Sequence, residues 1–127
     1  MWTNLLLGSA ALWHTAAAFY FLVLTGRMLG SHSFERPVNA VAMDMMQFLG
    51  AMNVAIIVAC IYGLLGGNSV RTPVLLIVAV ANLSQFIKDV HAHRTGRWKP
   101  RLAAITALDG FFGVACLGVY FQALAQA

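Results

Sequence analysis

Four apolar segments, each long enough to cross a lipid bilayer, limit what this chain can fold into. A helix needs about 20 residues to cross the hydrocarbon core, and the segments cover residues 4–26, 40–65, 73–92 and 102–124. Of the 127 residues, 61% are hydrophobic and only 9% are charged, whereas an ordinary soluble domain has roughly 25% charged residues. The sequence therefore predicts an all-α integral membrane protein with a single four-helix domain.

The connections between these segments predict the topology. Each is about 13 residues or shorter, so consecutive helices are expected to be antiparallel neighbours in an up-down-up-down bundle. Basic residues are concentrated in the first and third connections, and the second holds only Arg71; the others are Arg27 and Arg36 in the first, and Arg94, Arg97, Lys99 and Arg101 in the third. Because basic loops stay in the cytoplasm, we expect both termini on the opposite side and a multi-pass protein of the cell inner membrane.

Little of the chain remains outside the four segments, which limits the partners that it can have. Any function is carried out in the membrane or at its surface, and no nucleic-acid partner is expected. Small residues recur at helical spacing, as at Ala51 and Ala55 or Gly113 and Cys116, and such positions let helices approach closely in lipid. The expected partners are the lipid bilayer, a lipophilic small molecule, and either a second copy of the chain or another membrane protein.

The third segment carries a stripe of polar residues. Asn82, Gln85, Asp89 and His93 fall within an arc of about 80° at the angular step of an α-helix. An ionisable side chain at the centre of a membrane costs about 2.5 to 3.5 kcal/mol even on a lenient scale. Such a residue therefore needs a partner or a function.

The other three segments place polar residues at a similar depth. Asp44 and Gln47 share one side of the second segment while Asn53 points the other way, and Asp109 and Tyr20 lie on the fourth and first segments. Helix rise puts most of these groups about 5 to 10 Å from the cytoplasmic ends of their helices. The sequence thus predicts one polar layer in the cytoplasmic third, with contributions from all four helices.

Carboxyl groups in such a layer suit acid–base chemistry. Low dielectric disfavours the charged form, so one carboxyl group can donate a proton while its neighbour accepts one. This pattern predicts an enzyme that isomerises, cyclises or opens a strained ring in a lipophilic molecule or lipid. The predicted catalytic residues are Asp89, Asp44, Asp109 and Tyr20, and the predicted substrate-binding residues are Gln47, Asn82, Gln85, Asn53 and His93.

Three other functions are compatible with the same residues. Lys88 and Arg94 are close enough in sequence to form a structural salt-bridge network with Asp89. The polar stripe can also dock a non-enzymatic scaffold or subunit on another membrane protein. A small proton- or cation-coupled transporter is the remaining alternative, although the outer half of the bundle offers few polar residues for a continuous path.

No cofactor is predicted, and haem and metal stay open as alternatives. Two histidines that hold a haem between helices need matching depths, but His14 lies roughly 18 Å by helix rise from the end at which His91 and His93 lie. A single axial His14 remains an alternative. A metal site would have to use aspartates and His91, because the Glu-x-x-His pairs of di-iron bundles are absent from the sequence.

Overall fold

The computed structural model describes residues 2–25 and 40–126, with only the backbone described at positions 40 and 101. This part of the chain is all-helical, as predicted. The helices are α1 (Trp2–Leu22), α2 (Ala40–Leu65), α3 (Asn68–Arg94) and α4 (Ala103–Ala125), with a 3-10 turn over Pro100–Leu102 before α4. All four helices are long and apolar enough to span a membrane. The first connection, with Arg27 and Arg36, lies outside the described residues.

Helix α3 is longer than the apolar segment that predicted it. It begins at Asn68 rather than at Pro73, so Pro73 lies inside the helix. The polar residues before Pro73 extend the helix because helix formation depends on backbone angles, whereas hydropathy marks only the part that suits lipid. The connection from α2 is therefore only Gly66 and Gly67.

Arg71 completes the end of α2 across this short connection. Its guanidinium donates from Nε to the Gly63 carbonyl at 3.1 Å and from Nη2 to the Leu64 carbonyl at 3.4 Å. Carbonyl groups in the last turn of a helix have no partner within the helix. Arg71, which the sequence had assigned to the second connection, thus lies in α3 and joins the start of this helix to the end of α2.

The helices pack most closely as two pairs, α1 with α2 and α3 with α4. Leu7 lies beside Gly63, and Leu22 lies beside Gly50, so residue numbers rise along α1 as they fall along α2. The same relation holds in the second pair, where Leu83 lies beside Gly113 and Phe86 beside Gly110. Glycine at these positions lets the two backbones of each pair come close.

The interior divides into an apolar half and a polar half. The apolar half lies towards the first residues of α1 and α3 and the last residues of α2 and α4. Its buried side chains come from all four helices and are Leu7, Ala10, Cys60, Val74, Leu75, Val78, Ala79, Phe112 and Cys116. Both cysteines are free thiols within this cluster. The polar half, towards the opposite ends of the helices, contains the candidate site.

Candidate functional site

His14 is the first polar group beyond the apolar half, and it joins three helices. Its Nδ1 lies 2.6 Å from Asn53 Oδ1 on α2, and its Nε2 lies 3.1 Å from Asn82 Nδ2 on α3. The amide nitrogen of Asn53 also donates to the Leu49 carbonyl at 2.8 Å, and that of Asn82 donates to the Val78 carbonyl at 2.9 Å. These two backbone acceptors fix the direction of both amides.

The direction of the amides fixes the tautomer of His14. Asn53 presents an oxygen, so His14 Nδ1 carries the proton and donates it; Asn82 presents an N–H, so Nε2 accepts. A neutral imidazole has one donor and one acceptor, and both are used here. His14 is therefore a structural link between helices, with no ring nitrogen left in this arrangement to bind a haem iron.

Asn82 has one group that this network does not use. Its side chain is only 1% exposed, and its Oδ1 has no hydrogen-bond partner among the residues that the structure describes. A buried carbonyl oxygen without a donor is unfavourable by about 1 to 3 kcal/mol. This oxygen is therefore available to accept a hydrogen bond from a group that enters the bundle.

Asp89 on α3 and Asp109 on α4 form the centre of the polar half. They are 0% and 5% exposed, and their carboxyl groups are close enough to interact with each other. Trp13 Nε1 donates to Asp109 Oδ1 at 2.9 Å, and Gln85 Nε2 donates to Asp89 Oδ1 at 2.7 Å. We call Asp89 and Asp109 the carboxyl pair.

One oxygen of the carboxyl pair is left without a donor. Thr106 on α4 also lies close enough to interact with the Asp89 carboxyl group. Even so, Asp89 Oδ2 is buried and makes no well-aligned hydrogen bond within the described ranges 2–25 and 40–126. Gln85 holds Oδ1, and this contact sets the orientation of the carboxyl group.

His93 and Trp98 close the polar half at the end of α3. His93 Nε2 lies 3.2 Å from Thr106 Oγ1, and the His93 ring meets the Trp98 ring edge-on with centroids 5.7 Å apart. Both rings are half-buried, whereas Thr106 is buried. The polar groups therefore extend from the carboxyl pair to the surface of the bundle at this end.

The structure brings six of the nine residues predicted from the sequence into this polar half and leaves three outside it. The six are Asn53, Asn82, Gln85, Asp89, His93 and Asp109. Asp44 and Gln47 are exposed on α2, and Tyr20 is 39% exposed on α1. The sequence had suggested that Asp44, Gln47 and Tyr20 belong to the polar layer. In the structure these three residues lie outside it.

Helix periodicity explains why α2 contributes Asn53 instead of Asp44. Nine residues separate them, which places them about 180° apart around the helix. Because Asn53 faces His14, Asp44 must face away from the interior. Lys88 and Arg94, the candidate salt-bridge partners of Asp89, are exposed on α3.

Sequence reasoning did not assign site roles to Trp13 or Thr106. Trp13 carries a signal that could have been used, because a tryptophan N–H that is buried usually finds an acceptor, and Asp109 supplies one. Thr106 lies three residues before Asp109 on the same face of α4, which is the spacing of neighbours on a helix surface. Both residues contact the carboxyl pair.

A cavity of about 420 Å³ lies at the other end of the bundle, remote from the carboxyl pair. Three segments line it, namely the start of α1, the start of α3 and the end of α4; the residues are Thr3, Asn68, Ser69, Arg71, Thr72, Leu75, Ala123 and Gln126.

Within the described residues, no group of three or more His, Cys, Asp or Glu side chains could hold a metal ion.

These features define a class of protein. The four candidate membrane-spanning helices are consistent with a multi-pass integral membrane protein, and its interior holds a buried pair of carboxyl groups. Comparison with protein-family models, with curated proteins and with solved structures finds no match. The side chains of the polar half are therefore the features from which a function can be inferred.

Proposed function

We propose that this protein is a membrane enzyme that carries out acid–base chemistry on a lipophilic small molecule or lipid. The observation that carries the proposal is the carboxyl pair, in which Asp89 and Asp109 face each other from two helices in the bundle interior. Two carboxyl groups that share a buried site hold one proton between them, because two adjacent negative charges are unfavourable in low dielectric. Such a pair contains an acid and a base at once.

The contacts of the carboxyl pair suggest a role for each group. Trp13 and Gln85 each donate a hydrogen bond to one carboxyl oxygen, which holds both groups in a fixed orientation. Asp89 Oδ2 is the oxygen without an aligned donor, so it is the proposed atom that gives a proton to the substrate or removes one. Asp109 is the proposed partner that holds the negative charge or directs a water molecule.

Asn82 supports a substrate with a hydrogen-bond donor. Its free Oδ1 lies on the same face of α3 as Asp89, two helical turns away, at a rise of about 10 Å. We propose that it accepts a hydrogen bond from a hydroxyl or similar group of the substrate. Asn53 is proposed to orient His14 and not to touch the substrate itself.

The proposed reactions are isomerisation, cyclisation or opening of a strained ring. Each of these moves protons without a change in oxidation state, which a pair of carboxyl groups can do alone or with water. In this proposal the helices run up-down-up-down with both termini on the non-cytoplasmic side. The carboxyl pair then lies nearer the cytoplasm, since Arg94 and Arg97 follow it at the end of α3.

The apolar half of the interior favours an enzyme over a transporter. Buried Leu7, Val78 and Phe112 belong to a cluster that packs between the carboxyl pair and the far end of the bundle. A proton or cation path across the membrane needs polar groups or water along its whole length. Among the described residues, the polar groups around the carboxyl pair extend to the end of the bundle at which α3 ends, which suits proton exchange with one side during catalysis.

Deuterium labelling can test the proposal before the substrate is known. The purified protein, in lipid nanodiscs that contain extracted cell lipids, is incubated in D₂O. Mass spectrometry finds lipophilic molecules that gain deuterium at carbon, as in isomerisation or cyclisation, or that gain a molecule of water, as in ring opening. Wild type and Asp44→Asn should label the same molecule, because Asp44 is exposed. Asp89→Asn and Asp109→Asn should each reduce the rate about 100- to 10,000-fold, the range for one positioned acid or base.

Two outcomes of this labelling experiment would contradict the proposed role of the carboxyl pair. If both Asp89→Asn and Asp109→Asn fold, insert in the membrane and retain the labelling rate of wild type, the carboxyl pair is not the acid–base group. A requirement for Asp44 in the same assay would move the site to the exposed face of α2.

A further inference from the structure

We propose that His93 and Thr106 form a proton path that connects the carboxyl pair with the water at the end of α3. This inference rests on the proposed acid–base function, since a buried acid that is used once per turnover must regain its proton. Asp89 is 0% exposed, so water does not reach it directly in this structure. A chain of side chains must therefore carry the proton.

The proposed path follows neighbouring polar groups whose solvent exposure decreases from His93 towards Asp89. His93 is half-buried, and its Nε2 lies 3.2 Å from Thr106 Oγ1. Thr106 is 7% exposed, and its hydroxyl lies close to the Asp89 carboxyl group. The Oδ2 atom of Asp89 has no aligned donor among the described residues, so it can accept the Thr106 hydroxyl proton once that hydroxyl rotates.

In the opposite direction, the residues that the structure describes offer no comparable route. There the polar residue next along the interior is His14, whose two nitrogens are both held by asparagine amides. Beyond it lie the buried side chains of the apolar half, such as Leu7 and Val78. A proton that enters from that end would have to cross apolar side chains, which is unfavourable.

Each step of the transfer conserves protons. The N–H bond of protonated His93 breaks as the Thr106 oxygen receives that proton, and the Thr106 O–H bond breaks as a new O–H bond forms on Asp89. Thr106 ends with one proton, as it began, and rotation of its hydroxyl restores the starting arrangement. His93 is left neutral and takes its next proton from water at the surface of the bundle, a proton-shuttle role that histidine often has.

The surroundings of His93 agree with a point of entry. Trp98 packs edge-on against its ring and limits its rotation. Among the described residues, the titratable and charged groups at this end include Asp44, Lys88, His91, Arg94 and Arg97 on the exposed surface, Lys99, and on the inner side the carboxyl pair. His93 is thus placed between a basic surface and a buried acid.

Infrared spectroscopy can measure the path without a substrate. The protonated carboxyl group of the pair gives a C=O stretching band, which Asp89→Asn and Asp109→Asn identify by its loss or shift. Transfer of the whole protein in nanodiscs from H₂O to D₂O then shifts this band at the rate at which the buried proton exchanges. His93→Phe and Thr106→Val should each slow that exchange about 100-fold, the lower end of the contribution of one positioned proton-transfer group.

Two control variants make the result specific. Thr106→Ser keeps the hydroxyl and should exchange at nearly the wild-type rate. A role of Thr106 in packing alone would instead leave Thr106→Val, which has nearly the same shape as threonine, at the wild-type rate and would alter Thr106→Ser, and that result would overturn the path. His91→Phe removes an exposed histidine two residues from His93 and should have no effect. Wild-type exchange rates in both His93→Phe and Thr106→Val would also overturn the path while leaving the carboxyl pair in place. Absence of any band sensitive to Asp89 or Asp109 would instead remove the shared proton, and the proposed function and the path with it.

Discussion

Asn53, His14 and Asn82 show how a single hydrogen-bonded chain can hold three membrane helices together. Each amide is anchored to a carbonyl of its own helix and turned towards the imidazole. The consequence is that one tautomer of His14 uses both of its ring nitrogens, while Asn82 Oδ1 has no partner among the described residues. At this scale, different groups serve structure and the proposed chemistry. His14 holds the helices together, and the proposed ligand contacts are Asn82 Oδ1 and Asp89 Oδ2.

Asn53→Ala should destabilise the fold through the loss of this acceptor. It leaves the buried Nδ1–H of His14 without a partner, which we expect to lower the free energy of unfolding by about 1 to 2 kcal/mol. Gln47→Ala, an exposed position on the same helix, should change it by less than about 0.5 kcal/mol. Unfolding in mixed micelles with increasing SDS gives both values, and equal effects would mean that His14 finds another acceptor.

At the scale of helices, the close approach of α3 and α4 is what brings the carboxyl pair together. Gly113 lies so near α3 that an added Cβ would be 2.7 Å from Leu83 Cγ and 3.0 Å from the Leu83 backbone nitrogen. At Gly110 the same Cβ would be 2.9 Å from the Phe86 ring. The Leu83 backbone cannot move away as a flexible side chain can, so Gly113 sets the separation of the two helices.

Gly113→Ala should therefore force α3 and α4 apart. We expect it to lower the free energy of unfolding by about 1 to 3 kcal/mol, the usual range for an overpacked interior. Gly118→Ala is the matched control on the same helix. A Cβ added there has no described atom within 4 Å apart from its chain neighbours and the backbone of its own helix. There the better helix propensity of alanine should leave stability unchanged or raise it by up to about 1 kcal/mol. Equal stability of the two variants would show that the helices are not in tight contact at Gly113.

On the scale of the whole molecule, the bundle has two unlike ends. The first residues of α1, the last residues of α4, the connection between α2 and α3 and the cavity around Arg71 lie at one end. The end of α3, with its basic residues and His93, lies at the other. The proposed enzyme exchanges protons at the second end only, so the side of the membrane that this end faces decides where its protons come from.

Cysteine labelling tests the proposed orientation. Ser69→Cys and Thr95→Cys place a thiol at exposed positions of opposite ends, and the buried Cys60 and Cys116 of the wild-type chain give the background. In sealed vesicles with the native outer surface outward, a membrane-impermeant maleimide should label the first variant, and the second only after permeabilisation. Labelling in the reverse order would place the termini in the cytoplasm and contradict the positive-inside argument.

The sequence alone determined the four helices and the polar face of α3. Apolar length sets the spans because backbone groups in lipid must be satisfied within a helix, and the spacing of Asn82, Gln85 and Asp89 follows from the pitch of that helix. It also determined that Asn53 and Asp44 lie on opposite sides of α2. It could not tell which of those sides faces inward, because each side carries a polar residue among apolar ones and α2 has no single core face.

Tertiary packing determined which side of α2 faces inward, and it brought the carboxyl pair together. Once His14 engages Asn53, Asp44 and Gln47 turn outward and α1 contributes Trp13 to Asp109. Contacts between residues far apart in the chain, such as Trp13 with Asp109, depend on which helices are neighbours and how each is rotated. Those two quantities arise from packing of all four helices at once, and helix periodicity within any one segment does not contain them.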